Sequence, residues 1–267
     1  MSKLSLSQAW VETKAILARD GRLFLPVALA MFVLPGLVLG VSAPVADPGK
    51  LPPAGPWIAI ALVAVLVSLI GQLAVMRLAM EPHASVGEAI AHGARRLLSY
   101  VAAWLLWLLP IIVAATALYD VLLTHQDKPS VAASLGLILV TAIGVYLAVR
   151  MMLTSAVATA ERVGPFAILQ RSWELSRGNW WRLFAFMLLF GVGALALLLA
   201  VDSIATLAVR LFTDDAGPRS LGGLLVSIIS QLVTAILSVV FFVMMARIYV
   251  QRSGGGAVQA SVPNSGT

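Results

Sequence analysis

The sequence contains no cysteine, which excludes a disulfide framework and any thiolate metal site. Charge is also scarce: 11% of residues are Asp, Glu, Lys or Arg, against roughly 25% in an average soluble domain. Histidine occurs only at positions 83, 92 and 125, without the His-x-x-x-His spacing that sets two imidazoles on one helix face. No Walker motif or Gly-x-Ser-x-Gly elbow is present, and the Gly254-Gly255-Gly256 run has neither strand nor helix after it. With no convincing nucleophile or acid–base pair, the expectation is a non-enzymatic protein that needs no cofactor.

Apolar residues supply what is abundant. They make up 60% of the 267 residues, and the mean hydropathy of +0.97 excludes a soluble globular protein. Six uncharged, mainly apolar runs are long enough to cross a bilayer as helices: Leu23–Ala43, Trp57–Met76, Leu97–Tyr119, Val131–Val149, Leu183–Val201 and Leu221–Ala246. Pro35 and Pro110 fall inside two of them, where a membrane helix tolerates a kink. Val41-Ser42-Ala43 faintly resembles a cleavage site, but Pro44 follows and 22 residues precede the run, so a retained helix is expected.

The loops divide the charge unevenly. The N-terminus, 77–96, 150–182 and the tail from Arg247 carry 14 Lys/Arg, whereas 44–56, 120–130 and 202–220 carry 4. The positive-inside rule then sets both termini in the cytoplasm. On this reading the net charge of +6 reports topology, and nucleic acid is not an expected partner. The outer loop 44–56 is stiffened by proline, and residues 253–267 have the composition of a disordered tail. The polar residues left at depth are Gln72, Thr141 and Gln231, suited either to interhelical hydrogen bonding or to lining a pathway.

Helix-start signals recur about every 80 residues. Ser5-x-x-Gln8 and Ser85-x-x-Glu88 have the capping-box pattern, and Gly164-Pro165 sets proline at a first helical position. Leu73–Arg77, Leu147–Met151 and Phe242–Arg247 resemble one another, each with an arginine able to snorkel to the headgroups. These features predict a pseudo-threefold repeat (5–84, 85–163 and 164–252) within one domain, 1–252. Each unit is a cytoplasmic-side amphipathic interfacial helix followed by a transmembrane hairpin. The fold class is an all-α polytopic membrane protein with six transmembrane helices.

The densest charged and aromatic stretch runs from Glu161 to Arg182. A helix over Pro165–Arg177 puts Phe166, Leu169 and Trp173 on one stripe and Gln170, Arg171, Glu174 and Arg177 largely opposite, the pattern of a helix lying on a membrane surface. Gly178 is suited to end it in the left-handed conformation, with Asn179 in the turn. The residues singled out are Glu161, Arg171, Trp173, Arg177, Gly178, Asn179, Trp180, Trp181 and Arg182, either as interfacial anchors or as contacts to anionic lipid headgroups.

The pattern Glu161-x-x-Gly164-x-x-Ala167-Ile168-x-x-Arg171-Ser172-Trp173-x-Leu175-Ser176-Arg177-Gly178-Asn179-Trp180 resembles the signature of the glycerophosphoryl diester phosphodiesterase membrane-domain family and of the related YciC-like bacterial inner membrane proteins. A weaker likeness extends to Ser5–Arg19 and Ser85–Arg96. The resemblance implies a multi-pass protein of the bacterial cytoplasmic membrane that organises membrane, contacts lipid or scaffolds partners. Some relatives carry a fused phosphodiesterase barrel, for which this sequence has no room, so the enzymatic activity does not carry over. The alternative is a small-molecule or lipid transporter, or a subunit of one, with a polar cavity near Gln72, Thr141 and Gln231.

Overall fold

The computed structural model describes residues 5–44, 53–124, 131–212 and 220–254. Pro48, Pro52, His125, Asp214, Asp215 and the tail beyond Gly254 lie outside them. Among the described residues every regular element is helical: α1 (Leu6–Ala28), a π-helical turn (Leu29–Val33), α2 (Leu34–Ser42), α3 (Trp57–Met80), α4 (Val86–Thr124), α5 (Val131–Arg150), α6 (Thr154–Ala160), α7 (Pro165–Ser176), α8 (Trp180–Phe212) and α9 (Leu221–Arg252). Six helices are long and apolar enough to cross a membrane, and the chain is a multi-pass membrane protein.

The expected helix starts are present. Ser5 accepts the Gln8 amide at 3.3 Å, whereas the Gln8 side chain reaches Glu12 rather than closing the box. Ser85 closes it fully: its Oγ accepts the Glu88 amide, and its own amide donates to Glu88 Oε2 at 3.0 Å. Gly164 precedes Pro165 as the cap of α7. The elements behind these starts differ from expectation in one respect. Only α7 is a separate short helix; the N-terminal and second amphipathic segments are the opening turns of α1 and α4. Neither has a Gly-Asn turn like 178–179 to break it, so helical bonding continues into the apolar run.

The three starts share a buried register. The residues four and eight positions after each cap are Ala9 and Thr13, Ala89 and Gly93, and Ile168 and Ser172, and all six are buried. In α7 the protein-facing stripe is Ile168, Ser172, Leu175 and Ser176; of the apolar stripe Phe166, Leu169 and Trp173, Phe166 is exposed and the other two are half-buried. Alongside Ile168 and Leu175, the small and hydroxyl-bearing residues let helix backbones approach closely, while Phe166 turns outward. A lipid phase permits a large apolar side chain to face outward, because it removes the hydrophobic drive to bury it.

Pro35 has no N–H, and its ring crowds the carbonyl four residues before it. The helix accommodates this by widening at 29–33, where the Leu34 amide donates to Leu29 O five residues back. Pro110 leaves α4 unbroken. The central helices are α3 and α9, which pack on each other and on α1, α2 and α6. The core lies towards one end of the bundle, where α6 is inserted among α3, α4, α7 and α9. Its residues 154–159 are all buried. Away from it, α4, α5 and α8 expose Leu109, Leu139 and Leu189, a surface suited to acyl chains.

Candidate functional site

At that packed end, α5, α6 and α7 stop inside the protein. Each leaves helix-terminal carbonyls with no intrahelical donor, and their satisfaction shapes the site. The Arg150 carbonyl at the end of α5 accepts the Ser172 hydroxyl of α7 at 2.9 Å. For α6 the donors come from α4: Arg96 Nε reaches Ala158 O at 2.9 Å, a second Arg96 nitrogen reaches Glu161 O, and His92 Nε2 lies 2.9 Å from Thr159 O. At the end of α7, Arg252 of α9 donates to Leu175 O at 2.9 Å and to Arg177 O at 3.1 Å. A guanidinium at a helix C-terminus also complements the negative end of the helix dipole.

Glu161 follows α6 directly. Its Oε1 accepts from Tyr249 Oη at 2.8 Å and from Arg171 Nε at 3.1 Å, joining α6, α7 and α9 through one oxygen. Arg171 also donates to Glu174 at 3.3 Å. These bonds, the one to Glu161 above all, raise the Arg171 guanidinium further above its ordinary pKa, and it stays a cation. Arg150 lies 4.7 Å from the Trp173 ring centroid and 5.3 Å from that of Tyr146, and its Nε and Nη2 donate to Tyr146 Oη at 3.1 and 2.9 Å. Trp180 stacks on Tyr146 and Phe184 and donates its indole N–H to Tyr146 O at 3.3 Å.

The turn between α7 and α8 follows the sequence expectation. Gly178 has φ +75°, a conformation an L side chain adopts at a cost, and the Asn179 carbonyl accepts the Arg182 and Leu183 amides that open α8. Trp181 is 74% exposed, and Arg177 and Arg182 are exposed beside it.

Of the nine residues singled out, the structure brings Glu161 together with Arg171, and Trp173 together with Trp180 around Tyr146. Gly178 and Asn179 form the turn, and Arg177, Trp181 and Arg182 make the exposed rim. Sequence reasoning missed Tyr146, Ser172, Ser176 and Tyr249, and all of α6. The uncharged, small and hydroxyl-rich run Thr154–Ala160 was the available signal for α6. The three arginines able to snorkel also have protein partners: Arg77 pairs with Glu81 at 2.5 Å, Arg247 with Glu12 of α1 at 2.6 Å, and Arg150 with the aromatic rings.

The model of a family described as a domain of unknown function (DUF7847) matches residues 4–252. The chain belongs to this family. The matched region contains every helix described above, and no curated protein and no solved structure matches the chain.

Proposed function

We propose that the protein is a non-enzymatic integral component of the bacterial cytoplasmic membrane, with both termini in the cytoplasm. In this role it contacts anionic inner-leaflet headgroups and organises membrane or scaffolds partners. One observation carries the reading: the hydrogen-bonded clamp at the packed end of the bundle holds the α7–α8 turn, and that turn presents Arg177, Trp181 and Arg182 on its exposed side. Tryptophan and arginine together suit the headgroup layer. The division of 14 loop cations against 4 supports the orientation. The shared buried register after Ser5, Ser85 and Gly164 supports a pseudo-threefold repeat of elbow and hairpin. The likeness to the phosphodiesterase membrane-domain and YciC-like proteins is part of this proposal.

The test is the lipid that co-purifies. The expected result is enrichment of phosphatidylglycerol or cardiolipin over phosphatidylethanolamine, reduced in an Arg177→Ala/Arg182→Ala double variant. Equal lipid profiles for variant and wild type would remove headgroup recognition and leave the turn as a depth anchor. A second reading, transport, draws on a cavity that brings Gln72 and Gln231 together; Thr141 does not line it.

A further inference from the structure

The cavity lies where the π-helical turn and α2 meet α3 and α9, with a volume of about 340 Å³. Its polar lining is Ser68, Gln72, Gln231, Thr234 and Ser238; no Asp, Glu, Lys, Arg or His contributes. Ser68 is nine residues from Arg77, and Ser238 is nine from Arg247. At 1.5 Å per residue both lie about 13 Å along their helices from those inner arginines, within a hydrocarbon layer about 30 Å thick. Val65 and Thr234 at its edge are exposed, so the cavity opens sideways between helices.

We infer that this cavity binds the uncharged, hydroxyl-bearing headgroup of a neutral lipid of the diacylglycerol type, with the acyl chains leaving through the lateral opening. The hydrogen-bonding groups are of both kinds. Thr234 and Ser238 donate their hydroxyl protons to Ser230 O and Thr234 O, each at 2.8 Å, which leaves their oxygens as acceptors. Gln72 Oε1 accepts from Tyr100 at 3.4 Å, which leaves its amide N–H groups as donors. A hydroxyl both donates and accepts, so it answers both sets. A phosphate or carboxylate would be buried with no cation to offset its desolvation. A volume of about 340 Å³ far exceeds the ~10–15 Å³ that admits a single water, and it leaves room for a glycerol moiety and the first methylenes.

The backbone is built around this space. A Cβ on Gly36 would lie 2.4 Å from Gln231 Oε1, so the glutamine amide occupies the room the glycine leaves. The π-turn and Pro35 break regular helix bonding beside it, an irregularity that membrane helices carry where backbone lines a cavity or packs within protein. The inference rests on the cavity that the transport reading also uses, but it requires only binding.

The experiment is photolabelling in phosphatidylcholine nanodiscs with a diacylglycerol carrying an acyl-chain diazirine. The expected label maps to α2, to α3 around Ser68 and to α9 from Gln231 to Ser238. Excess dioleoylglycerol competes, whereas dioleoylphosphatidate and free glycerol do not. Gln72→Leu, which removes the amide donors, lowers labelling about fivefold, the effect of one lost hydrogen bond on an equilibrium. Ser68→Phe, which fills the cavity and leaves both glutamines, lowers it at least as much; size-exclusion profiles check that both variants fold. Label spread over all apolar faces, or undiminished in folded Ser68→Phe, overturns the site. Competition by phosphatidate overturns the neutral headgroup, and competition by glycerol overturns the lipid. Site-confined labelling in a protein that moves no solute keeps the inference and removes transport.

Discussion

Replacing Glu161 by alanine distinguishes its two partners. Arg171 is the partner a sequence would suggest, yet its side chain is 40% exposed and has Glu174 as a second acceptor. An exposed ion pair of that kind contributes about 0–1 kcal/mol, and the alternative partner sets the loss at the lower end. Tyr249 is 6% exposed, and its hydroxyl donates to the carboxylate at 2.8 Å. A hydrogen bond to a charged group is worth about 1.5–3 kcal/mol; the partial exposure of Glu161 argues for the lower part of that range. Glu161→Ala should therefore cost about 2 kcal/mol. A double-mutant cycle with Tyr249→Phe should show a coupling of about 1.5 kcal/mol, and one with Arg171→Ala about 0.5 or less. The assay is reversible unfolding of the detergent-solubilised protein in SDS, followed by tryptophan fluorescence. A Glu161–Arg171 coupling larger than Glu161–Tyr249 would refute the assignment of Tyr249 as the principal partner.

Two further outcomes are expected. Gly178→Val forces a β-branched residue into φ +75° at a cost of about 1–2 kcal/mol; it should lower membrane-fraction yield more than Arg171→Ala, and equal yields would contradict the turn geometry. Arg150→Met removes the cation from Trp173 and Tyr146 and should destabilise by about 0.5–2 kcal/mol. Its tryptophan emission should shift, whereas Arg95→Met, an exposed arginine without these ring contacts, should leave emission unchanged.

Local signals were legible in the sequence because their causes are local. A cap needs a side chain within three residues of the amide it satisfies, so Ser5 and Ser85 could be read directly, and Pro165 after Gly164 marks the third start by its fixed φ and missing N–H. A span needs only an uncharged apolar run of sufficient length, so all six were visible. The positive φ of Gly178 followed from glycine at the end of a charged helix.

Which face of each helix turns inward is a different kind of fact. Hydropathy marked Phe166 and Trp173 as the stripe of a surface helix but gave no sign that Ile168 and Ser172 would be buried against protein, because the inward face also depends on how closely backbones can pack. The partners of three similarly placed arginines likewise do not follow from their sequence contexts. Arg77, Arg150 and Arg247 occupy similar sequence contexts, but one meets a carboxylate on its own helix end, one two aromatic rings and one a glutamate 235 residues away. By itself the sequence determined the six membrane-spanning runs and the helix starts at Ser5, Ser85 and Gly164. Only the tertiary structure decided which carbonyls each arginine caps, how Glu161 joins α6, α7 and α9, and that Gln72 and Gln231 share a cavity, because each of these depends on helix ends and faces that meet only after packing.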